Sequence, residues 1–144
     1  MYCIDASVLT NSVIEEEDHH KFSRGLMERI REEEITVVVP EIAMAEIASA
    51  IARGTNDPQK ALRFLKELRQ LPNFLFIPID RELSESSSKV AAKYMLRGCD
   101  AVYVGVASLF NSKLITLDVE QRKKTPPHIN VASPQEELES LGEQ

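Results

Sequence analysis

The sequence lacks the features that announce a membrane, a secretory route or a zinc site. Its 144 residues hold no apolar run near the ~18–20 residues that a bilayer span needs. The N-terminus, MYCIDASVLT, has no basic stretch and reaches an aspartate at position 5, so it does not read as a secretory signal. A cytoplasmic protein with no membrane partner is the expectation. Two cysteines, Cys3 and Cys99, are too few for a disulfide framework and cannot alone build a structural zinc site. Both are expected as reduced, buried thiols. No two histidines stand at a zinc-ligand spacing: His19 and His20 are adjacent and face different sides of a helix, and His128 lies in a TPPHIN loop. Positive charge is also scarce, with 17 Lys and Arg against 23 Asp and Glu and a net charge of −6. That balance disfavours tight nucleic-acid binding driven by protein charge alone. It leaves room for a nuclease whose acids bind metal, and it suits a basic protein partner. No internal repeat or low-complexity linker divides the chain, so one domain over residues 1–144 is expected.

What is present is an alternation of short apolar runs and longer amphipathic ones. Residues 1–4, 35–39, 74–79, 114–117 and 129–131 are rich in β-branched and aromatic side chains and apolar without alternation, the pattern of strands covered on both faces. Between them fall helical patterns over 8–13, 20–33 and 41–53, the last with Gly54 as its stop. Another runs from Pro58, capped by Asp57, to just before Pro72. Two follow in direct succession, from Asp80 to near Gly98 and over 100–110, and Ser133 with Glu136 forms a capping box for a last one. Strands alternating with helices mean an α/β fold with a mainly parallel sheet, helices on both faces.

Ligands of such sheets bind at the C-terminal edge of the strands. Asp5 closes the first strand and Asp118 the fourth. The helix after the second strand starts at the same edge and carries Glu46 about 7 Å along it, at 1.5 Å per residue. The helix that returns to the fourth strand also starts there, with Asp100 in its first turn. Each acid has an ordinary explanation: turn residues for Asp5 and Asp118, a helix-dipole preference for Asp100, an arginine partner for Glu46. Glu46 is the hardest to explain so, because Ile42, Ala43, Ser49 and Ala50 surround it on the helical wheel and a carboxylate there needs a partner. Two carboxylates ~4 Å apart repel by roughly 4 kcal/mol at an effective dielectric near 20, so four in one pocket call for a cation. An all-oxygen donor set suits Mg²⁺ or Mn²⁺.

Four segments in order, YCIDASVLT, VPEIAMAEIASAI, LRGCDAVYVGVAS and LITLDVEQ, resemble the motifs of the PIN domain family. Size and single-domain build are similar to those of the VapC-type toxin ribonucleases. The resemblance implies a three-layer α/β/α sandwich with a parallel five-stranded sheet of order 3-2-1-4-5. It implies metal ligation by Asp5, Glu46, Asp100 and Asp118, with Ser7 and Thr116 as supporting hydroxyls, which local backbone hydrogen bonding would explain as well. It further implies Mg²⁺- or Mn²⁺-dependent endoribonuclease activity leaving a 5′-phosphate and a 3′-hydroxyl, a small antitoxin that lays a basic segment across the acidic cleft, and a homodimer. Phe22, Leu26, Leu62 and Leu65 are either core or interface. Arg53, Arg97, Arg122, Lys123 and Lys124 are either RNA contacts or solvated charge.

Other readings remain. A PIN-like RNA-processing nuclease that is not a toxin keeps the same chemistry. A non-catalytic PIN scaffold usually loses acids, and all four stand here. An aspartyl-phosphate enzyme of the haloacid-dehalogenase type wants Asp-x-Asp after the first strand, where this sequence has Asp5-Ala6-Ser7.

Overall fold

Five short parallel strands form the centre of the computed structural model, which describes residues 1–142. They are β1 (Tyr2–Ile4), β2 (Val37–Pro40), β3 (Phe74–Ile77), β4 (Lys113–Ile115) and β5 (Val131–Ala132), in the order β3-β2-β1-β4-β5. Every residue of β1 and β2 is buried, as their unbroken apolar sequences require of strands covered on both faces. Cys3 sits in register with Val38 on one side and Leu114 on the other. Eight helices complete the layers: α1 (Ala6–Asn11), α2 (His20–Glu32), α3 (Ile42–Thr55), α4 (Pro58–Arg69), α5 (Arg81–Tyr94), α6 (Gly98–Leu109), α7 (Val119–Lys124) and α8 (Pro134–Ser140). The most apolar of them, α6, packs against β1, β2 and β4 and buries Ala101, Tyr103, Val104 and Val106. Among the described residues no helix is long and apolar enough to cross a membrane.

Most helix starts follow the sequence. Asp57, Asp80 and Ser133 each cap a helix by accepting from the backbone N–H three residues on. Three details differ. Gly54 does not stop α3; it lies inside the helix, where a Cβ would come within 2.8 Å of Ile14 Cδ1, and Asn56 takes the left-handed turn at φ 52°. Gly98 does not end α5, which stops at Tyr94 with left-handed Met95 after it; Gly98 opens α6. The helix α7 has no counterpart in the sequence reading, and Asp118 is its N-cap. Leu26 is core, whereas Leu62 is exposed and Phe22 and Leu65 are partly buried. Cys3 is buried as expected, but Cys99 is exposed. Its place in the first turn of α6 faces it toward the open edge of the sheet rather than the core.

The last helix is tied to the opposite, N-terminal edge of the sheet by one buried acid. Glu137 receives the Tyr2 hydroxyl at 2.7 Å and Lys113 Nζ at 2.7 Å. Both donors stand at strand starts, so Glu137 locks α8 across β1 and β4. Removing one partner of a buried pair leaves an uncompensated charge, which costs ~3–5 kcal/mol when burial is complete. Lys113 is itself partly exposed, so Lys113→Met is expected to lower stability by about 2 kcal/mol in urea unfolding. Adding Glu137→Gln should restore most of the loss, and a double variant no better than the single would remove Glu137 from this role.

Candidate active site

Each of the acids singled out in the sequence reaches the C-terminal edge of the sheet by a different route. Asp5 directly follows β1 and caps α1, its Oδ2 accepting from Ser7 N at 2.9 Å. Glu46 lies just over one turn into α3, and Asp100 lies in the first turn of α6. Asp118 follows β4 by three residues and caps α7, its Oδ1 accepting from Gln121 N at 3.0 Å. All four line one open cleft of about 1230 Å³, together with Ser7, Arg53, Arg97 and Cys99. Glu16, Glu17 and Asp18, from the loop before α2, add acids to its rim.

The carboxylates lie close enough to disturb one another. Burial raises the pKa of Asp5, and the charge of Asp100 adds to the rise, against hydrogen bonds from Ser7 and Gln121 that lower it. Burial also raises Glu46, the Tyr103 hydroxyl opposes this, and Asp5 and Asp100 add to it. Asp100 rises through burial and the charge of Asp118, with Arg97 and Lys124 acting the other way. Excess negative charge in a partly desolvated cleft is therefore the common condition of the site.

Glu46 finds no arginine. Its partner is Tyr103, a fully buried residue of α6 whose hydroxyl donates to Oε1 at 2.7 Å. Tyr103 went unnoticed in the sequence, although it lies three residues after Asp100 and so shares that helix face. The arginine that pairs with acids of the cleft is Arg97, the largely exposed N-cap residue of α6. Its Nε donates to Asp100 Oδ2 and its Nη2 to Asp118 Oδ2, each at 3.2 Å.

The supporting hydroxyls are both engaged. Ser7 Oγ accepts from Leu117 N at 3.2 Å, joining α1 to the end of β4. Thr116 accepts from Asp118 N at 3.0 Å and donates to Gln121 Oε1 at 2.7 Å. Gln121 is the second residue the sequence reading missed. It is completely buried, and its Nε2 donates to Asp5 Oδ1 at 3.4 Å and to the Asp100 carbonyl at 3.3 Å. The spacing Asp118-x-x-Gln121 is a cap-and-third-residue pattern that marks a helix start and would have exposed both α7 and Gln121. Of the basic residues, Arg53 and Arg97 line the cleft, but Arg122 is clamped by both carboxylate oxygens of Glu136 and Lys124 pairs with Glu120.

The donor set passes a chemical test for a hard cation: four carboxylates, all oxygen, with pKa values of three of them raised by burial and like charge. Geometry alone is less complete. Among the described residues no three His, Cys, Asp or Glu side chains are drawn tightly enough together to hold an ion. Arg97 holds the Oδ2 atoms of Asp100 and Asp118, and Tyr103 holds one oxygen of Glu46. Arg97 is a long, solvent-exposed arm, and exposed ion pairs of this kind contribute little. The all-oxygen donor chemistry of the four acids fits such a cation.

The family model of the PIN domain matches residues 2–125. The chain belongs to the PIN domain family. Several solved structures share the fold of this PIN domain. A toxin–antitoxin complex from Klebsiella pneumoniae aligns at 19% identity and a TM-score of 0.68, over 93% of this chain and 98% of that one. FitAcB from Neisseria gonorrhoeae aligns at 17% and 0.69, over 94% and 99%. A DNA-bound VapBC from Salmonella typhimurium aligns at 12% and 0.69, over 92% and 97%. No curated protein matches the sequence.

A raised pKa means that the native state holds its proton more tightly than the unfolded chain. Stability from such a group is fully present below the unfolded pKa and is lost as pH rises through the folded one. Glu46→Gln keeps an oxygen for Tyr103 and removes one negative charge. In EDTA at neutral pH it is expected to stabilise the protein by up to about 1 kcal/mol, the half-exposed position having screened the repulsion. That gain should shrink as the pH falls toward the ordinary glutamate range. Equal stability of both proteins at every pH would show that Glu46 suffers no repulsion.

Proposed function

We propose that this PIN domain is a Mg²⁺- or Mn²⁺-dependent endoribonuclease and the toxin of a type II toxin–antitoxin pair. The observation that carries the reading is the convergence of Asp5, Glu46, Asp100 and Asp118 on one cleft, where burial and neighbouring charge raise the pKa values of Asp5, Glu46 and Asp100. Asp5, Asp100 and Asp118 would hold the metal directly, with Glu46 beside them. The bound ion would supply positive charge against the scissile phosphate and acidify a water. Asp5 is turned toward the cleft by Ser7 N and Gln121 Nε2, so its oxygens need no rearrangement. Asp118 offers Oδ2 while Gln121 N retains Oδ1. Among the described residues Glu46 Oε2 has no hydrogen-bond partner while Oε1 receives Tyr103, and a glutamate of raised pKa is suited to accept the proton of the attacking water at Oε2. Attack in line with the leaving 3′-oxygen yields a 5′-phosphate and a 3′-hydroxyl. Arg53 and Arg97 at the cleft wall would meet the RNA backbone.

The antitoxin is a small protein whose basic segment would lie across the cleft. The acids of its rim, Glu16, Glu17 and Asp18, support that complementarity, as do the toxin–antitoxin assemblies among the structural neighbours. A homodimer and a cytoplasmic setting belong to the same proposal. A second reading, a PIN scaffold without turnover, draws on one observation: Arg97 already partners Asp100 and Asp118.

Purified protein is expected to cleave RNA with Mn²⁺ and to stop in EDTA, and Asp5→Asn is expected to lose at least ~100-fold in rate, as for a removed stabiliser of developing charge. Cleavage at the same rate by Asp5→Asn would discard the nuclease reading. A melting temperature that does not rise with Mn²⁺ would favour the scaffold.

A further inference from the structure

The candidate ligands are held by a polar side chain that the proposed chemistry itself does not use. Gln121 is completely buried at the centre of the short helix α7, and its amide and backbone reach three of the four acid-bearing segments. Its Nε2 donates to Asp5 Oδ1 and to the carbonyl of Asp100, and its backbone N–H donates to Asp118 Oδ1. The amide can face only one way. Asp5 Oδ1 and the Asp100 carbonyl both need a donor, so Nε2 faces them and Oε1 turns to Thr116, whose hydroxyl donates to it while accepting from Asp118 N. The NH₂ end is then committed to two acceptors, and the opposite orientation would set a carbonyl oxygen against the Asp5 carboxylate. The bonds form a chain from Asp118 N through Thr116 and Gln121 to Asp5, each polarising the next.

We infer that Gln121 is a positioning residue of the metal site, one that orients Asp5 and spaces it from Asp100 and Asp118 without touching metal or substrate. The inference rests on the metal-site reading above. It assigns a role to a residue that no charge or ligand pattern in the sequence marks. Residues that orient metal ligands from behind typically change metal affinity by ~10–100-fold when removed. A merely structural glutamine would change stability alone.

The test is Mn²⁺ titration by calorimetry, with unfolding in EDTA followed by circular dichroism on the same samples. Gln121→Met keeps the volume and removes the amide. It is expected to remain folded, to melt lower and to bind Mn²⁺ at least about tenfold more weakly. Lys113→Met, distant from the cleft and also destabilised, is the control and should bind as the wild type does. Thr116→Val frees the amide to turn and should weaken binding, whereas Thr116→Ser keeps the hydroxyl and should bind more tightly than Thr116→Val. A folded Gln121→Met that binds Mn²⁺ as tightly as the wild type overturns the role, whatever its melting temperature. If Gln121→Met does not fold, equal affinities of Thr116→Val and Thr116→Ser overturn it instead. Wild-type protein that binds no Mn²⁺ brings down the metal-site reading, a result distinct from either of these.

Discussion

Repulsion among carboxylates is the constraint around which this molecule is arranged. A parallel sheet sends the ends of β1 and β4 and the starts of α3 and α6 to the same edge. Because Asp5, Glu46, Asp100 and Asp118 stand at those points, folding concentrates negative charge that the extended chain keeps apart. The surrounding structure answers with neutral donors and one solvent-exposed arginine. Backbone N–H groups, the Tyr103 hydroxyl and the Gln121 amide each hold one oxygen, and Arg97 reaches in from solvent to two more. Such an answer moderates the charge without cancelling it, which is the state a binding site for a hard cation requires.

The same arrangement assigns labour within the fold. The N-terminal edge is closed by complete pairing, with Glu137 satisfied by Tyr2 and Lys113. The C-terminal edge stays open and under-compensated. Complete pairing and uncompensated charge therefore occupy opposite ends of the sheet, joined by a core of fully buried β1 and β2 and the buried face of α6. Cys99 shows the same division: it follows Gly98 at the open edge and is exposed, unlike Cys3 within the central strand.

Much of this could be read in the sequence, and what could not has physical reasons. The edge shared by the acids follows from alternation and right-handed crossovers, and the strand order from the resemblance of four motifs to the PIN domain. Strand ends were placed too late at β3 and β4, because Ile79 and Leu117 are as apolar as the ladder residues before them yet lie beyond the last backbone pairing. The helix α7 was hidden because Arg122, Lys123 and Lys124 look like solvated charge; its stability comes from Asp118 at the cap and from Gln121, whose partners are remote in sequence. Gly54 resembles a helix stop in sequence, although what it permits is close approach of Ile14. The apolar surroundings of Glu46 show that it needs a partner, but the partner comes from α6, fifty-seven residues away. Residue type shows where charge will gather; only the folded contacts show what holds it.

Anomalous diffraction from crystals soaked in Mn²⁺ tests the central claim most directly. A single strong peak or a close pair should appear between Asp5, Asp100 and Asp118, beside Glu46, with the Arg97 guanidinium turned out of the cleft. A cleft without any peak at saturating Mn²⁺, with Arg97 still bridging Asp100 and Asp118, would contradict the account.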